Sequence, residues 1–174
     1  MLDSSTLLLC QTCSDAASKL SDSLKNFKPF TISFTKDSFG YFKHKQSCTL
    51  WLKPLLRTDD YAGDLSISSQ HEGEARADFQ QSTLPHHPDT LKLQSQLHAE
   101  FPMCDDLSKI SEAGFQPHLS LGQFKSSNID EFASKFQEEW VDFELKVSEI
   151  YLISRKDFND PFHIRHSVRL GGAE

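Results

Sequence analysis

Residues 115–124 have the sequence FQPHLSLGQF, in which polar and apolar residues alternate. This alternation predicts a β-strand, on which side chains two residues apart project from the same face. His118 and Ser120 are therefore expected to point together, while Leu119 and Leu121 pack behind them. An imidazole beside a hydroxyl suits a phosphate oxygen, and histidine both accepts and gives a proton near neutral pH. We predict that His118 and Ser120 form the centre of the chemistry.

The chain before this strand is predicted to alternate strands and helices. Apolar residues at helical spacing follow Ser14, a candidate N-cap, and Pro29 ends that helix. The predicted elements are a strand at residues 4–10, a helix at 15–26, a half-buried strand at 30–34, a turn at 38–40 with a returning hairpin arm at 41–53, and a helix from 89 or 90 that buries Leu93, Leu97 and Phe101.

A helix and two strands are predicted after residue 124. Asn128 and Glu131 have the spacing of a capping box and open a helix with one apolar face. Residues 143–154 and 162–170 are predicted strands. The whole order suggests two similar halves, so the predicted fold class is α+β, with antiparallel sheets flanked by helices.

Length and charge limit the classes of function. The 174 residues favour a single domain, residues 1–174. A net charge of -7 is too acidic for a protein that grips nucleic acid by neutralising many phosphates, but it allows a small phosphorylated ligand. Residues 55–88 are polar and without period, which predicts a mobile insertion. Its histidines, His71, His86 and His87, are interpreted as solvated loop residues, not as metal ligands.

The cysteines and the amino-terminal region indicate an intracellular protein. Cys10 and Cys13 have metal-ligand spacing, but Cys48 and Cys104 form no second pair, so neither zinc nor a structural disulfide is expected. The apolar run at residues 7–10 is far shorter than a membrane span or a signal-peptide core. We expect a location in the cytoplasm or nucleus and no membrane partner.

Three segments resemble the 2H phosphoesterase superfamily, which includes 2'-5' RNA ligase-like proteins and cyclic nucleotide phosphodiesterases. Residues 115–124 resemble its second signature, residues 29–54 its central hairpin and residues 149–172 its closing strand pair. The resemblance is greatest to the carboxy-terminal domain of leukocyte receptor cluster member 9-like proteins. It implies a bilobal fold with a cleft between two His-x-Ser/Thr strands, which acts without metal or cofactor on 2',3'-cyclic phosphates or 2'-5'-linked RNA ends.

The sequence departs from this family at its beginning. The resemblance implies one histidine from each lobe, but only the motif at His118 is visible. The matching place for the first motif is residues 4–6, where Thr6 fits the hydroxyl position and Ser4 stands in the place of histidine. The family's opening strand and helix are not found before Met1, so we expect a chain that is truncated or rewritten at this end. Among the other histidines, His44 is kept as a possible helper.

Besides Ser120, the resemblance makes Ser4 and Thr6 candidates for binding the phosphate of a substrate, and three further residues are candidates. The resemblance places Tyr151 and Arg155 near the cleft, and Lys125 lies just beyond the motif strand. Three functions stay open: a monomeric cyclic phosphodiesterase with His118 as general acid and base, a non-catalytic module that binds an RNA end or a nucleotide phosphate, and a protein-interaction scaffold. The phosphodiesterase activity would be impaired if the histidine of the amino-terminal motif is lost.

Overall fold

The computed structural model describes residues 4–57, 82–104 and 115–171, with side chains from residue 13 onward. It contains three α-helices and seven strands within these ranges. The elements are α1 (Ser4–Leu24), β1 (Phe30–Phe34), β2 (Phe39–Lys43), β3 (Ser47–Leu52), α2 (Pro88–Glu100), β4 (Leu119–Lys125), α3 (Ile129–Glu138), β5 (Phe143–Val147), β6 (Glu149–Ser154) and β7 (His163–Arg169). The chain is thus α+β with antiparallel sheets, as predicted.

The chain divides into two compact units. The first comprises residues 1–30, 92–110 and 146–174, and the second comprises residues 31–91 and 111–145.

The first unit is built from α1, most of α2 and the antiparallel pair β6–β7. Its core brings together Leu20 and Leu24 of α1, Leu93 of α2, and Val168 and Leu170 at the end of β7. Burying a side chain of this size stabilises the fold by roughly 1.5–3 kcal/mol. The predicted spacing is confirmed for α1. In α2 only Leu93 is buried, while Leu97 and Phe101, which follows the helix, are partly buried against the same core.

The second unit is built around a three-stranded antiparallel sheet of order β2–β3–β4. Helix α3 covers one side of it, which we call the helix face; its residues are Phe39, Tyr41, Leu50, Leu52 and Phe124. The Tyr41 hydroxyl donates to Asp130 of α3 at 3.0 Å, and Phe124 packs against Phe132 at 5.2 Å between ring centroids. Burial, and then the bond to Asp130, raise the pKa of Tyr41.

Strands β1 and β5 pair beside this sheet. The indole of Trp140, which follows α3, donates from Nε1 to the Phe34 carbonyl at 3.0 Å, and its ring packs edge-on against Phe39. Ser33 also bridges to Leu55. Through Trp140, the carboxyl end of α3 contacts both β1 and β2.

Five local predictions are wrong. The predicted strand at residues 143–154 is interrupted at Ser148, so that β5 pairs with β1 and β6 pairs with β7. Residues 4–10 form the beginning of α1 instead of a strand, so Ser14 lies inside a helix and not at its cap. The hairpin turn lies at residues 44–46 instead of 38–40. Asn128 does precede α3, but its side chain caps no backbone amide and instead accepts from the Ser127 hydroxyl.

Of the predicted insertion at residues 55–88, residues 58–81 lie outside the described chain, and His71 with them.

Candidate functional site

The side of the three-stranded sheet opposite α3 carries the predicted motif; we call it the His118 face. Residues directly opposite each other in antiparallel strands project from the same side. Trp51 pairs with Ser120 and Thr49 with Gln123, and Thr49 also pairs with Phe42. The His118 face is therefore defined by Phe42, Thr49, Trp51, Ser120 and Gln123, together with the ring of His118.

His118 lies immediately before β4, and its ring covers two aromatic side chains. The ring centroids of His118 and Phe42 are 5.0 Å apart in an edge-on arrangement, and those of His118 and Trp51 are 6.2 Å apart. Nδ1 lies 2.7 Å from the Gln116 carbonyl. Because a carbonyl can only accept, Nδ1 is the donor, and this fixes the tautomer of the neutral ring. Nε2 is left as the atom that can exchange a proton with a ligand.

Ser120 is exposed on the same side as the rings of His118 and Trp51. A β-bulge places it there: Leu50 pairs with Gly122, whereas Trp51 pairs with Ser120, so Leu121 is the extra residue. Without this bulge the residue opposite Trp51 would be Leu121, with its apolar side chain. The structure therefore brings His118 and Ser120 to one face, as the spacing predicts.

The apolar neighbours of the motif do not pack as predicted. Leu119 is 42% exposed and Leu121 is 36% exposed, so neither is a core residue. The aromatic support of His118 comes instead from β2 and β3, through Phe42 and Trp51. Gly40 makes this support possible, because a Cβ at that position would lie 2.3 Å from the Trp51 ring.

Two residues of this neighbourhood were missed or misjudged from sequence: Lys53 and His86. Lys53 is buried, and its ammonium group donates to the carbonyls of Ser82 and Leu84 at 3.1 and 2.7 Å. The His87 amide donates to the Pro54 carbonyl at 3.1 Å. These bonds fasten residues 82–87 to the end of β3, although nothing in their polar sequence predicts a fixed position.

His86 is held by this fastened segment and interacts electrostatically with both Lys53 and His118. Burial, and then these two neighbouring groups, lower the pKa of His86 below its ordinary value of 6.5. Its Nδ1 is buried and has no hydrogen-bond partner among the described residues. The prediction that His86 and His87 are solvated is wrong, because His86 is half-buried and His87 is 2% exposed.

His87 has a structural position at the start of α2. Its Nδ1 accepts the amide of Asp89 at 3.2 Å, so the ring acts as a cap for the first turn. The side chain is thereby committed to the helix end.

Two other candidates of this unit are Lys125, predicted to hold phosphate, and His44, kept as a possible helper. Lys125 pairs with Ser47 near the hairpin turn, whereas Leu119 pairs with Leu52 at the end from which His118 extends. His44 is exposed at the turn, and its Nε2 lies 3.1 Å from the Thr49 hydroxyl. Lys125 therefore lies at the far end of β4 from His118. His44 shares the His118 face through Thr49, but within the described residues no contact joins His44 to His118.

Tyr151 and Arg155 belong to the first unit, at β6 and just beyond it. The Tyr151 hydroxyl donates to Glu149 at 2.5 Å; this bond raises the pKa of Tyr151 and lowers that of Glu149. Arg155 donates to the Phe158 carbonyl, and its guanidinium lies 4.7 Å from the Phe162 ring centroid. Each side chain has local partners, so a role in binding phosphate stays a prediction.

Ser4 and Thr6 lie in the first turn of α1, and their side chains are outside the described ones. The strand that was expected to carry them is not formed, so the prediction that they face a cleft has lost its structural basis. Their role in binding stays a prediction.

The described residues contain no group of three or more histidine, cysteine, aspartate or glutamate side chains that could hold a metal ion. Cys13, Cys48 and Cys104 are free thiols. None of the helices in the described ranges has the length and apolar character of a membrane span.

The sequence matches the family model of the 2'-5' RNA ligase superfamily over residues 3–158. This match covers most of the chain, and the antiparallel α+β fold agrees with it. The protein therefore belongs to the 2'-5' RNA ligase superfamily, the 2H phosphoesterases. Neither a curated protein nor a solved structure gives a significant match.

Proposed function

We propose that the protein is a cyclic phosphodiesterase that opens 2',3'-cyclic phosphates on RNA ends or nucleotides. In this proposal His118 transfers a proton, and the Ser120 hydroxyl donates a hydrogen bond to the phosphate. One observation carries the proposal. In a chain of the 2H family, an exposed imidazole with a fixed tautomer lies on the same sheet face as an exposed hydroxyl.

The arrangement of His118 suits this chemistry. The carbonyl of Gln116 holds Nδ1 as a donor, so Nε2 accepts a proton when the ring is neutral and donates one when it is charged. Packing on Phe42 and Trp51 limits the orientations of the ring, which aids proton transfer to a bound phosphate ester. The Ser120 hydroxyl can donate to a non-bridging phosphate oxygen.

A second candidate is a module that binds an RNA end or a nucleotide phosphate without turnover. The observation in its favour is the helical start of α1, because residues 4–10 were expected to supply a strand with the first motif. Both candidates use His118 and Ser120, and they differ in whether a product is formed.

Uridine 2',3'-cyclic phosphate and a short RNA with a cyclic end test the proposal. The wild-type chain, His118→Ala and the control His163→Ala, which changes an exposed histidine of β7, would be compared for product formation and for binding of uridine 3'-phosphate. We expect turnover that falls by roughly 10²–10⁴-fold in His118→Ala and is retained in His163→Ala.

The remaining outcomes separate the candidates. Binding by the wild type without turnover, lost in His118→Ala, would support the module and contradict the enzyme. If no variant binds or turns over either ligand, and His118→Ala changes only the melting temperature, both phosphate functions are wrong and an interaction scaffold is favoured.

A further inference from the structure

We infer that His86 is the second proton-transfer group of this site, and that its imidazole and that of His118 address the same phosphate. The inference rests on the proposed phosphodiesterase function and adds to it a residue outside the recognised motif.

The position of His86 is set by the sheet and not by local sequence. Lys53 follows Trp51 by two residues, and its ammonium group holds the carbonyls of Ser82 and Leu84. The bond from the His87 amide to Pro54 fixes the other side of His86. His118 reaches the same end of β3 through its contact with Trp51. Three bonds to the backbone and one ring contact thus bring the two imidazoles to one end of the His118 face.

The ring of His86 is not held by hydrogen bonds to its buried nitrogen. Buried polar atoms of proteins are almost always hydrogen-bonded, and an exception calls for an explanation. The Nδ1 atom of His86 is buried without a partner among the described residues, in contrast to the Nδ1 atoms of His87 and His118, which are both bonded. Because Nδ1 is closed to solvent, proton exchange between His86 and a substrate must use the other ring nitrogen, Nε2, which can take up or release a proton since no group holds Nδ1 in one protonation state.

The surroundings of His86 favour the role of a base. Lys53 and His118 are the groups that act on it electrostatically, and together with burial they disfavour its charged form. At neutral pH His86 is therefore the neutral imidazole of the pair, and its role is that of the base. The role of acid then falls to His118, because its Nδ1 is bonded to the Gln116 carbonyl and its Nε2 is the nitrogen left for a ligand.

The two transfers balance in one step. The oxygen of a water molecule forms a bond to phosphorus, and the water gives one proton to neutral His86. The bond from phosphorus to one ribose oxygen breaks, and that oxygen takes a proton from charged His118. The pair ends with the charge on His86 instead of His118, and exchange with solvent returns the proton to His118.

Substitution of His86 by glutamine tests the inference in the full chain. His86→Gln keeps a polar side chain of similar size but cannot transfer a proton. Turnover of uridine 2',3'-cyclic phosphate, its pH profile and the affinity for uridine 3'-phosphate would be measured beside His118→Ala and the control His163→Ala. We expect kcat to fall by about 10²-fold or more, while the affinity changes by less than about tenfold. The acidic limb of the kcat/KM profile, which reports the base, should disappear.

The outcomes distinguish this inference from the proposed function. If His86→Gln turns over substrate at the wild-type rate with the same acidic limb, whereas His118→Ala does not, His86 is not the base and the proposed function stands. If the wild type produces nothing from the cyclic phosphate, both are wrong. Should His86→Gln fail to fold, imidazole NMR signals of the wild type titrated with uridine 3'-phosphate decide. Shifts of His86 and His118 with one midpoint support a shared phosphate, and an unmoved His86 contradicts it.

Discussion

The two faces of the three-stranded sheet use the same backbone for different purposes. On the helix face, Leu50 and Leu52 are fully buried, and their neighbours pack against α3. On the His118 face, the polar side chains of Ser120 and His118 are exposed to solvent and do not belong to the core. The comparison teaches that stability and chemistry are separated by the alternation of side chains along a strand, so substitutions on the two faces should have different effects.

The largest expected effect is on the helix face. Leu50→Ala removes a fully buried side chain and leaves a cavity, so we expect the free energy of unfolding to fall by about 2–5 kcal/mol. Chemical denaturation measures it. Leu121→Ala, in the exposed bulge, is the control and should cost less than about 1 kcal/mol. Equal losses in the two variants would contradict the division between the faces.

Burial is not confined to the helix face. Trp51 on the His118 face is buried, and so is Lys53, two residues further along the chain, whose charged group holds residues 82–84. Lys53→Met removes the donor to two carbonyl groups, so we expect a loss of about 1–3 kcal/mol in unfolding free energy. The NMR signals of the His86 ring should also shift, since residues 82–87 lose their attachment. Lys125→Met, at an exposed lysine, should change neither quantity. An unshifted His86 signal in Lys53→Met would show that the segment is held by other contacts.

Ser120→Ala tests whether an exposed residue of the His118 face contributes to phosphate binding without contributing to stability. The hydroxyl is exposed, so the unfolding free energy should change by less than about 0.5 kcal/mol. If the hydroxyl binds phosphate, the affinity for uridine 3'-phosphate should fall by about three- to tenfold, the value of one hydrogen bond. Ser21→Ala, at an exposed position of α1, is the control. Unchanged affinity in Ser120→Ala would remove Ser120 from the site.

The smallest expected effect is a pH dependence of stability that comes from His86. Its pKa is lowered in the folded state, so the unfolded chain binds more protons as the pH falls below the ordinary value of 6.5. The free energy of unfolding should therefore decrease as the pH falls from about 6.5 towards the folded pKa. Denaturation curves across this window would show a steeper decrease for the wild type than for His86→Gln. Identical slopes would mean that His86 is not desolvated.

Patterns with a short period predicted much of the fold. Alternation identified β1 and β4, and helical spacing identified α2, α3 and the second half of α1. Such patterns involve residues only a few positions apart, so they can be recognised from the sequence alone. The strand prediction at residues 4–10 was wrong because a short apolar run fits both a strand and a helix, and the adjoining helix extends through it more easily than a new element begins.

The α+β class, the family resemblance and the position of His118 and Ser120 on one face could be predicted from the sequence. Only the tertiary structure decided the rest of the site: the bulge at Leu121, the support of His118 by Phe42 and Trp51, and the proximity of His86. The physical reason is distance along the chain. His86 and His118 are brought to one end of a sheet by Lys53 and by strand pairing, and these long-range contacts have no counterpart in local spacing.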